Sequence, residues 1–310
     1  MKAVVVRTAS GIEGIELIDA QVPEPGPGQV RIAVEAAAVN PVDLAVASGA
    51  LVALGVTAAR PQFGLGWDVA GRVDAVGAGV ELAVGTAVVG LADLVGRPLK
   101  THAEHVVLDA GAVVAAPQDV EPVAASTFAL NASTAHQALA ALDLPPGSSV
   151  LVTGAAGGVG GYAVELAAHR GLAVVATAGD ADEELVRDLG ADVFVPRSAD
   201  LATTVRERVP GGVDGVVDAA VLGVAAEEAV RNDGGFVSLS RAVVPPPLRG
   251  ITVHPVFVKA DAGTLAELAG LAAAGVISTR VAETYPLVDA THAYRRQAKG
   301  GVRGRVVLVP

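Results

Sequence analysis

The sequence predicts an α/β protein, with a doubly wound parallel sheet preceded by a compact strand-rich domain. Three observations predict it. Short β-branched runs punctuated by Pro and Gly fill the N-terminal part: AVVV, the PEPGPG loop at Pro23 to Gly28, QVRIAVEAAAV, VAGRVDAVGAGV and TAVVGL. From about Pro122 the pattern changes to alternating helix and strand, which means parallel βα units. Between Ser148 and Asp180 a strand, a glycine turn, a helix and a second strand follow in the order and lengths of a dinucleotide-binding unit.

That unit begins with the apolar run Val150, Leu151 and Val152. Gly154, Gly157, Gly158, Gly160 and Gly161 come next, then the helical spacing of Val159, Ala163, Leu166 and Ala167, and Gly171 ends the helix. The backbone must turn sharply, approach two phosphates with no Cβ in the way and pack the helix close to the strand, so that free N–H groups and the helix dipole face the anion. Ala155, Gly157 and Gly160 give A-x-G-x-x-G, so the tight turn is either taken by Ala155 or supplied by Gly154. Around the unit, AASTFALNASTAHQALAAL and ADEELVRDLG read as helices, and DVFVP, DGVVDAA and GGFVSLS as strands. GITVHPVFV is an edge strand, AGTLAELAGLAAAG a helix with Leu265, Leu268 and Leu271 on one side, and GRVVLVP a last strand.

Composition narrows the function classes. The 310 residues suffice for two domains with proper cores, and no apolar run reaches membrane-spanning length, which reads as a soluble globular protein. MKAVVV leads straight into a strand without the apolar region and cleavage site of a signal peptide, so the expected location is cytoplasmic. The chain has no Cys, which excludes disulfides and thiolate metal ligands and agrees with that compartment. A net charge of −11 disfavours nucleic acid and anionic membrane as partners. The six His residues form no metal-ligand motif, and they read as surface or hydrogen-bonded side chains, with His102 and His105 on opposite faces of a strand.

VNPVDL at Val39 to Leu44, GWDVAGRVDAVGAGV at Gly66 to Val80, AEHVV at Ala103 to Val107, LPPGSSVLVTGAAGGVG at Leu144 to Gly160, LGAD at Leu189 to Asp192 and the terminal RGRVVLVP stand in a telling order. Over nearly the whole chain this order resembles the medium-chain dehydrogenase/reductase superfamily, in its zinc-free quinone oxidoreductase and enoyl reductase branch. The resemblance implies a GroES-like β-barrel catalytic domain at 1–120, completed by 260–310, and a Rossmann NADP-binding domain at 121–259. Zinc relatives carry metal ligands where Asn40, Trp67 and Leu130 stand, and their structural zinc takes four Cys, so the resemblance implies no metal here.

The resemblance also assigns site residues. Cofactor contacts fall on Thr134, Gly154, Ala155, Gly157, Gly158, Val159, Gly160, Thr177, Gly179, Arg197, Ala219 and Ser238. Thr177 takes the position where NAD enzymes hold an acid for the ribose 2′-OH, and Arg197 can clamp a 2′-phosphate, which points to NADPH. Asp180 and Asp182 stand close by and read as helix caps ahead of EELV. Asn40 is the pocket amide expected to donate to an acceptor carbonyl. Asp43 orients that loop, relays a proton or caps the next helix. Trp67, Asn131 and Phe257 are assigned to the acceptor pocket. With no metal to polarise a carbonyl, an activated C=C or a quinone suits the site, and no proton donor stands out. The expected activity is NADPH-dependent hydride transfer to a small-molecule quinone or enone/enoyl acceptor. A pathway-dedicated enoyl reductase on a carrier-bound or polyketide-like substrate, and a nucleotide-binding regulator or non-redox catalyst on the same scaffold, remain as alternatives. The edge strand at Gly250 to Val258 implies a homodimer.

Overall fold

A computed structural model describes residues 1–310. They form two compact units: residues 1–130 with 259–275 and 279–310, and residues 131–258 with 276–278. The first unit opens with β1 (Lys2–Val6), β2 (Ile15–Asp19), β3 (Gln29–Val39), β4 (Phe63–Gly64), β5 (Asp68–Val76), β6 (Ala87–Leu91), β7 (His105–Asp109) and β8 (Val113–Ala115). The second contains β9 (Ser149–Thr153), β10 (Ala173–Ala178), β11 (Val193–Pro196), β12 (Val213–Asp218), β13 (Val230–Ser238) and β14 (Thr252–Pro255). The chain then returns to the first unit with β15 (Val281–Pro286) and β16 (Arg305–Val309).

In the first unit the main sheet runs β15-β16-β3-β5-β6-β8, with β7 also on β3, and a smaller sheet runs β2-β1-β4. Strand β3 organises the unit because it pairs antiparallel with β5 over Val30–Ala36, with β7 over Gln29–Ala33 and with β16 over Ala37–Val39. Its sequence explains this: buried Val30, Ile32 and Val34 alternate with the less buried Arg31, Ala33 and Glu35, and from Ala36 to Val39 every residue is buried. Val30, Ile32, Val69, Val73, Val88 and Val106 are packed in that core.

The second unit is a single sheet in the order β11-β10-β9-β12-β13-β14, with every pairing parallel. Counted within the unit, this is the doubly wound order 3-2-1-4-5-6, whose reversal point lies between its first and fourth strands, β9 and β12. Leu151, Val175, Val216, Phe236 and Ile251 form its core. The units divide after Leu130 rather than after residue 120, because the short helix Pro122–Ala125 packs on β3 and β5. GITVHPVFV is strand only over Thr252–Pro255, at the open edge of the sheet, where Pro255 contributes no N–H. No helix is long and apolar enough to cross a membrane.

Candidate functional site

In the first unit a buried polar cluster grows from the end of β3. Helix Pro41–Ala47 starts with Asn40 as its extended N-cap residue and Pro41 in its first turn. Asp43 reaches back from that turn. Its Oδ2 accepts the Asn40 N–H at 2.9 Å and its Oδ1 the Gly66 N–H at 2.8 Å, so a fully buried carboxylate ties the helix start to the turn ahead of β5. Of the roles expected for Asp43, these bonds orient the loop and, through the Asn40 N–H, cap the helix in a capping box.

The Asn40 amide faces inward. Its Nδ2 donates to Asp68 Oδ2 at 2.7 Å and to Ala38 O at 3.3 Å, while its Oδ1 accepts from Arg305 Nη1 at 3.1 Å. A carboxyl buried in β5 must find donors, and the Asn40 amide is one of them. The other is the Leu130 N–H, at 2.6 Å from Asp68 Oδ1. Burial pushes the Asp68 carboxyl up to about 7, against the lowering effect of the bonds from Leu130 and Asn40 and of the Arg305 charge.

Trp67, 1% exposed, lies under a cation: Lys100 Nζ stands 3.6 Å from the centroid of its ring. Gly66 makes this approach possible. With φ +97° and no Cβ, it lets Thr101 and His102 pack directly onto the turn before Trp67. His102 is fully buried rather than on the surface, with Nε2 at 3.0 Å from Ala38 O and Nδ1 at 2.6 Å from the Tyr294 hydroxyl. Burial lowers its pKa, so the ring is neutral, with the proton on Nε2 donated to Ala38 and Tyr294 donating to Nδ1. His105 sits within 3.4 Å of Asp74.

In the second unit the residues expected at a cofactor gather at the carboxyl ends of the parallel strands. Gly154 has φ +62°, so it supplies the tight turn, and Ala155 is buried with its N–H donated to Thr177 O at 3.0 Å. A Cβ at Gly160 would run into the Gly154 carbonyl, so the helix Gly158–His169 is seated against the turn. Gly157 is its N-cap, and no side chain accepts the first-turn N–H groups. The cradle fits a dinucleotide pyrophosphate: bare backbone, close approach and uncapped donors coincide.

Thr177 is buried one residue from the end of β10, and Gly179 follows the strand. Arg197 Nη2 lies 3.0 Å and Asp182 Oδ2 2.9 Å from where a Gly179 Cβ would stand, so a cation and a carboxylate converge on that glycine. The capping expected of the aspartates is corrected: Asp182 holds the N-cap position of Glu183–Asp188 but makes no capping bond, and Asp180 accepts from Ser198 Oγ. Ser238 ends β13, and its Oγ lies 2.8 Å from the carbonyls of Ser240 and Val243, so the hydroxyl ties down the loop that follows. Ala219 follows β12, Asn131 and Thr134 lie on helix Ala129–Leu142, and Phe257 is half-buried beyond β14.

One pair escaped the sequence reading. Thr153 Oγ1 donates to Asp218 Oδ1 at 2.7 Å and accepts the Ala220 N–H at 2.8 Å, and Asp218 also accepts from the N–H groups of Leu222 and Gly223. This pair clamps the ends of β9 and β12 at the reversal point and shapes the 219–223 loop. An acid closing the apolar strand DGVVD was the available signal.

Residues 26–118 match the alcohol dehydrogenase GroES-like domain, and residues 189–308 the zinc-binding dehydrogenase family. Over its full length the chain is 30% identical to the chloroplastic NADPH-dependent alkenal/one oxidoreductase of Arabidopsis thaliana, covering 80% of that protein. The chain belongs to the medium-chain dehydrogenase/reductase superfamily. The chain is an oxidoreductase with a GroES-like domain and a pyridine-nucleotide-dependent Rossmann fold. It superposes on the quinone oxidoreductase of Coxiella burnetii with a TM-score of 0.89 and 25% identity, covering 100% of this chain and 99% of that one. It is also 29% identical, over 98% of its length, to a mycocerosic acid synthase-like polyketide synthase of Mycobacterium tuberculosis, of which it spans 15%. No group of three or more His, Asp or Glu residues is placed to hold a metal ion.

Proposed function

We propose that the protein is an NADPH-dependent, zinc-independent reductase of a small quinone or α,β-unsaturated carbonyl compound. The observation that carries the reading is the Gly154–Gly160 cradle with Arg197 beside Gly179. Gly154, Gly157 and Gly160 hold the pyrophosphate against bare backbone, and Arg197 takes the 2′-phosphate next to uncharged Thr177. Bound there, NADPH supplies the hydride. The similarity to enzymes named for alkenal/one and quinone acceptors supports the substrate class. Asn40 and Asp43 brace the loop entering helix Pro41–Ala47. The protein works as a cytoplasmic homodimer.

NADPH oxidation followed against a panel of quinones, enones and enoyl thioesters tests the reading. Turnover of at least one quinone or enone is expected, unchanged after a strong chelator because Asn40, Trp67 and Leu130 offer no zinc site. Stoichiometric zinc with chelator-sensitive turnover overturns zinc independence. NADPH binding without any turnover favours a non-redox role on the same scaffold. The match to a polyketide synthase favours a second reading, a dedicated enoyl reductase on carrier-bound substrates, and turnover confined to enoyl thioesters would select it.

A further inference from the structure

We propose that Thr153 and Asp218 are a positioning pair for the cofactor: they set the 219–223 loop against the glycine turn and so place the nicotinamide half of the dinucleotide. The inference rests on the reading of Gly154–Gly160 as a pyrophosphate cradle. Both side chains are fully buried at the reversal point of the sheet, where Asp218 already pairs with Thr153 in the β9–β12 ladder. The ladder itself thus joins the strands. Of the four hydrogen bonds the pair makes, one links the two side chains and three come from loop N–H groups, those of Ala220, Leu222 and Gly223. A buried carboxylate needs donors, and this one takes them from the loop.

The loop does not hold its shape by itself. Val221 has φ +58° and Gly223 φ +60°. Glycine adopts such a backbone freely, whereas a β-branched residue rarely does, and Val221 and Leu222 are exposed, so packing does not offset the strain. The bond from Ala220 on one side of Val221, and those from Leu222 and Gly223 on the other, pin the chain around it.

The pinned loop meets the cradle. Thr153 directly precedes Gly154, and a Cβ at Gly154 would stand 3.3 Å from Ala220 N and 3.5 Å from the Ala219 carbonyl carbon. One hydroxyl therefore spaces the tight turn from the loop. A dinucleotide lies across the crevice where strand order reverses, with its pyrophosphate at the turn. The adenosine half falls on the β10 side, with Arg197 and Gly179, and the pair acts on the other half, over the end of β12.

The test separates the two halves by ligand. NADPH and adenosine 2′,5′-bisphosphate, which lacks the nicotinamide half, are titrated by calorimetry into the wild type and its variants. Thr153→Val keeps the shape of the side chain and removes both hydroxyl bonds. NADPH Kd should rise about tenfold, with bisphosphate Kd unchanged. Thr153→Ser keeps the hydroxyl and should bind NADPH as the wild type does. Asp218→Asn turns an N–H toward those of the loop and should show the same selective loss. Adding Val221→Gly to Thr153→Val should recover part of the affinity, because glycine has no strain to release once the clamp is gone. Equal weakening or loss of both ligands in Thr153→Val and Asp218→Asn assigns the pair to the sheet and overturns the proposal, as does unchanged NADPH affinity in both. A wild type that binds no NADPH overturns the cradle reading, and this role with it. Every readout is a binding constant, so absent turnover bears on the reductase reading alone.

Discussion

Two residues set cofactor selection and seating. Arg197 is exposed, and its guanidinium lies beside Gly179 with its donors uncommitted and available for a phosphate. Arg197→Ala should weaken NADPH binding by about tenfold and leave NADH nearly unchanged, since only the 2′-phosphate distinguishes the two. Fluorescence titration with both nucleotides checks this; equal losses for both would place Arg197 elsewhere in the chemistry. Gly160 has no room for a side chain against the Gly154 carbonyl. Gly160→Ala should cost about 1–3 kcal/mol in denaturant unfolding and should also weaken NADPH binding, because the helix must back away from the turn. At this scale the sequence was legible only where chemistry is local. The glycine turn was legible because its spacing is itself the geometry, with the positive φ at Gly154 and the close approach at Gly160. The Asn40–Asp68 and Asn40–Arg305 bonds span 28 and 265 residues, and nothing in a linear pattern pairs them. Lys100 was passed over because a lysine in a polar loop is normally solvated.

Among the elements, the strands were the most legible. The expected strand QVRIAVEAAAV coincides with β3, because alternation over a half-buried strand leaves an unambiguous trace. Expected helix boundaries were weaker: AASTFALNASTAHQALAAL divides into Pro122–Ala125 and Ala129–Leu142, separated by a turn in which Ser126 and Thr127 hydroxyls donate to preceding carbonyls. Strand β14 presents an open edge of the second sheet. Bare edges invite pairing, so sedimentation at micromolar concentration should give a dimer, and a monomer would rule out pairing through this strand. Pro255 limits that edge to a short stretch.

The whole molecule carries a pH signature from two buried groups. Asp68 rises from 3.8 to about 7 on folding, so its contribution to stability is full below 3.8 and is lost as pH rises through about 7. Lys100 falls from 10.5 to about 7, so its contribution is full above 10.5 and is lost as pH falls through about 7. Both work against folding near neutrality. Lys100→Met should therefore be more stable than the wild type at neutral pH, with the gap closing as pH rises toward 10.5. Denaturant midpoints measured across that range check this, and a gap that widens with pH would contradict it. Two-unit organisation was foreseen from the change of pattern near Pro122, whereas the boundary after Leu130 depends on packing of Pro122–Ala125 that no local signal marks.

Strand β16 has a consequence for how the protein is made. It lies between β15 and β3, pairing Val306, Val307 and Leu308 with Val39, Ala38 and Ala37, and Arg305 at its start reaches Asn40. On a ribosome, residues 131–258 emerge as one continuous stretch and can fold as they appear, while β3 must wait with part of its edge unpaired until residues 305–309 are released. The nascent chain thus carries a finished nucleotide-binding half beside an unfinished barrel for the time it takes to translate the intervening residues. A translation product cut short before Arg305 would keep the glycine cradle and lack the support of Asn40, so a prematurely terminated chain could hold nucleotide without a braced loop to act on it.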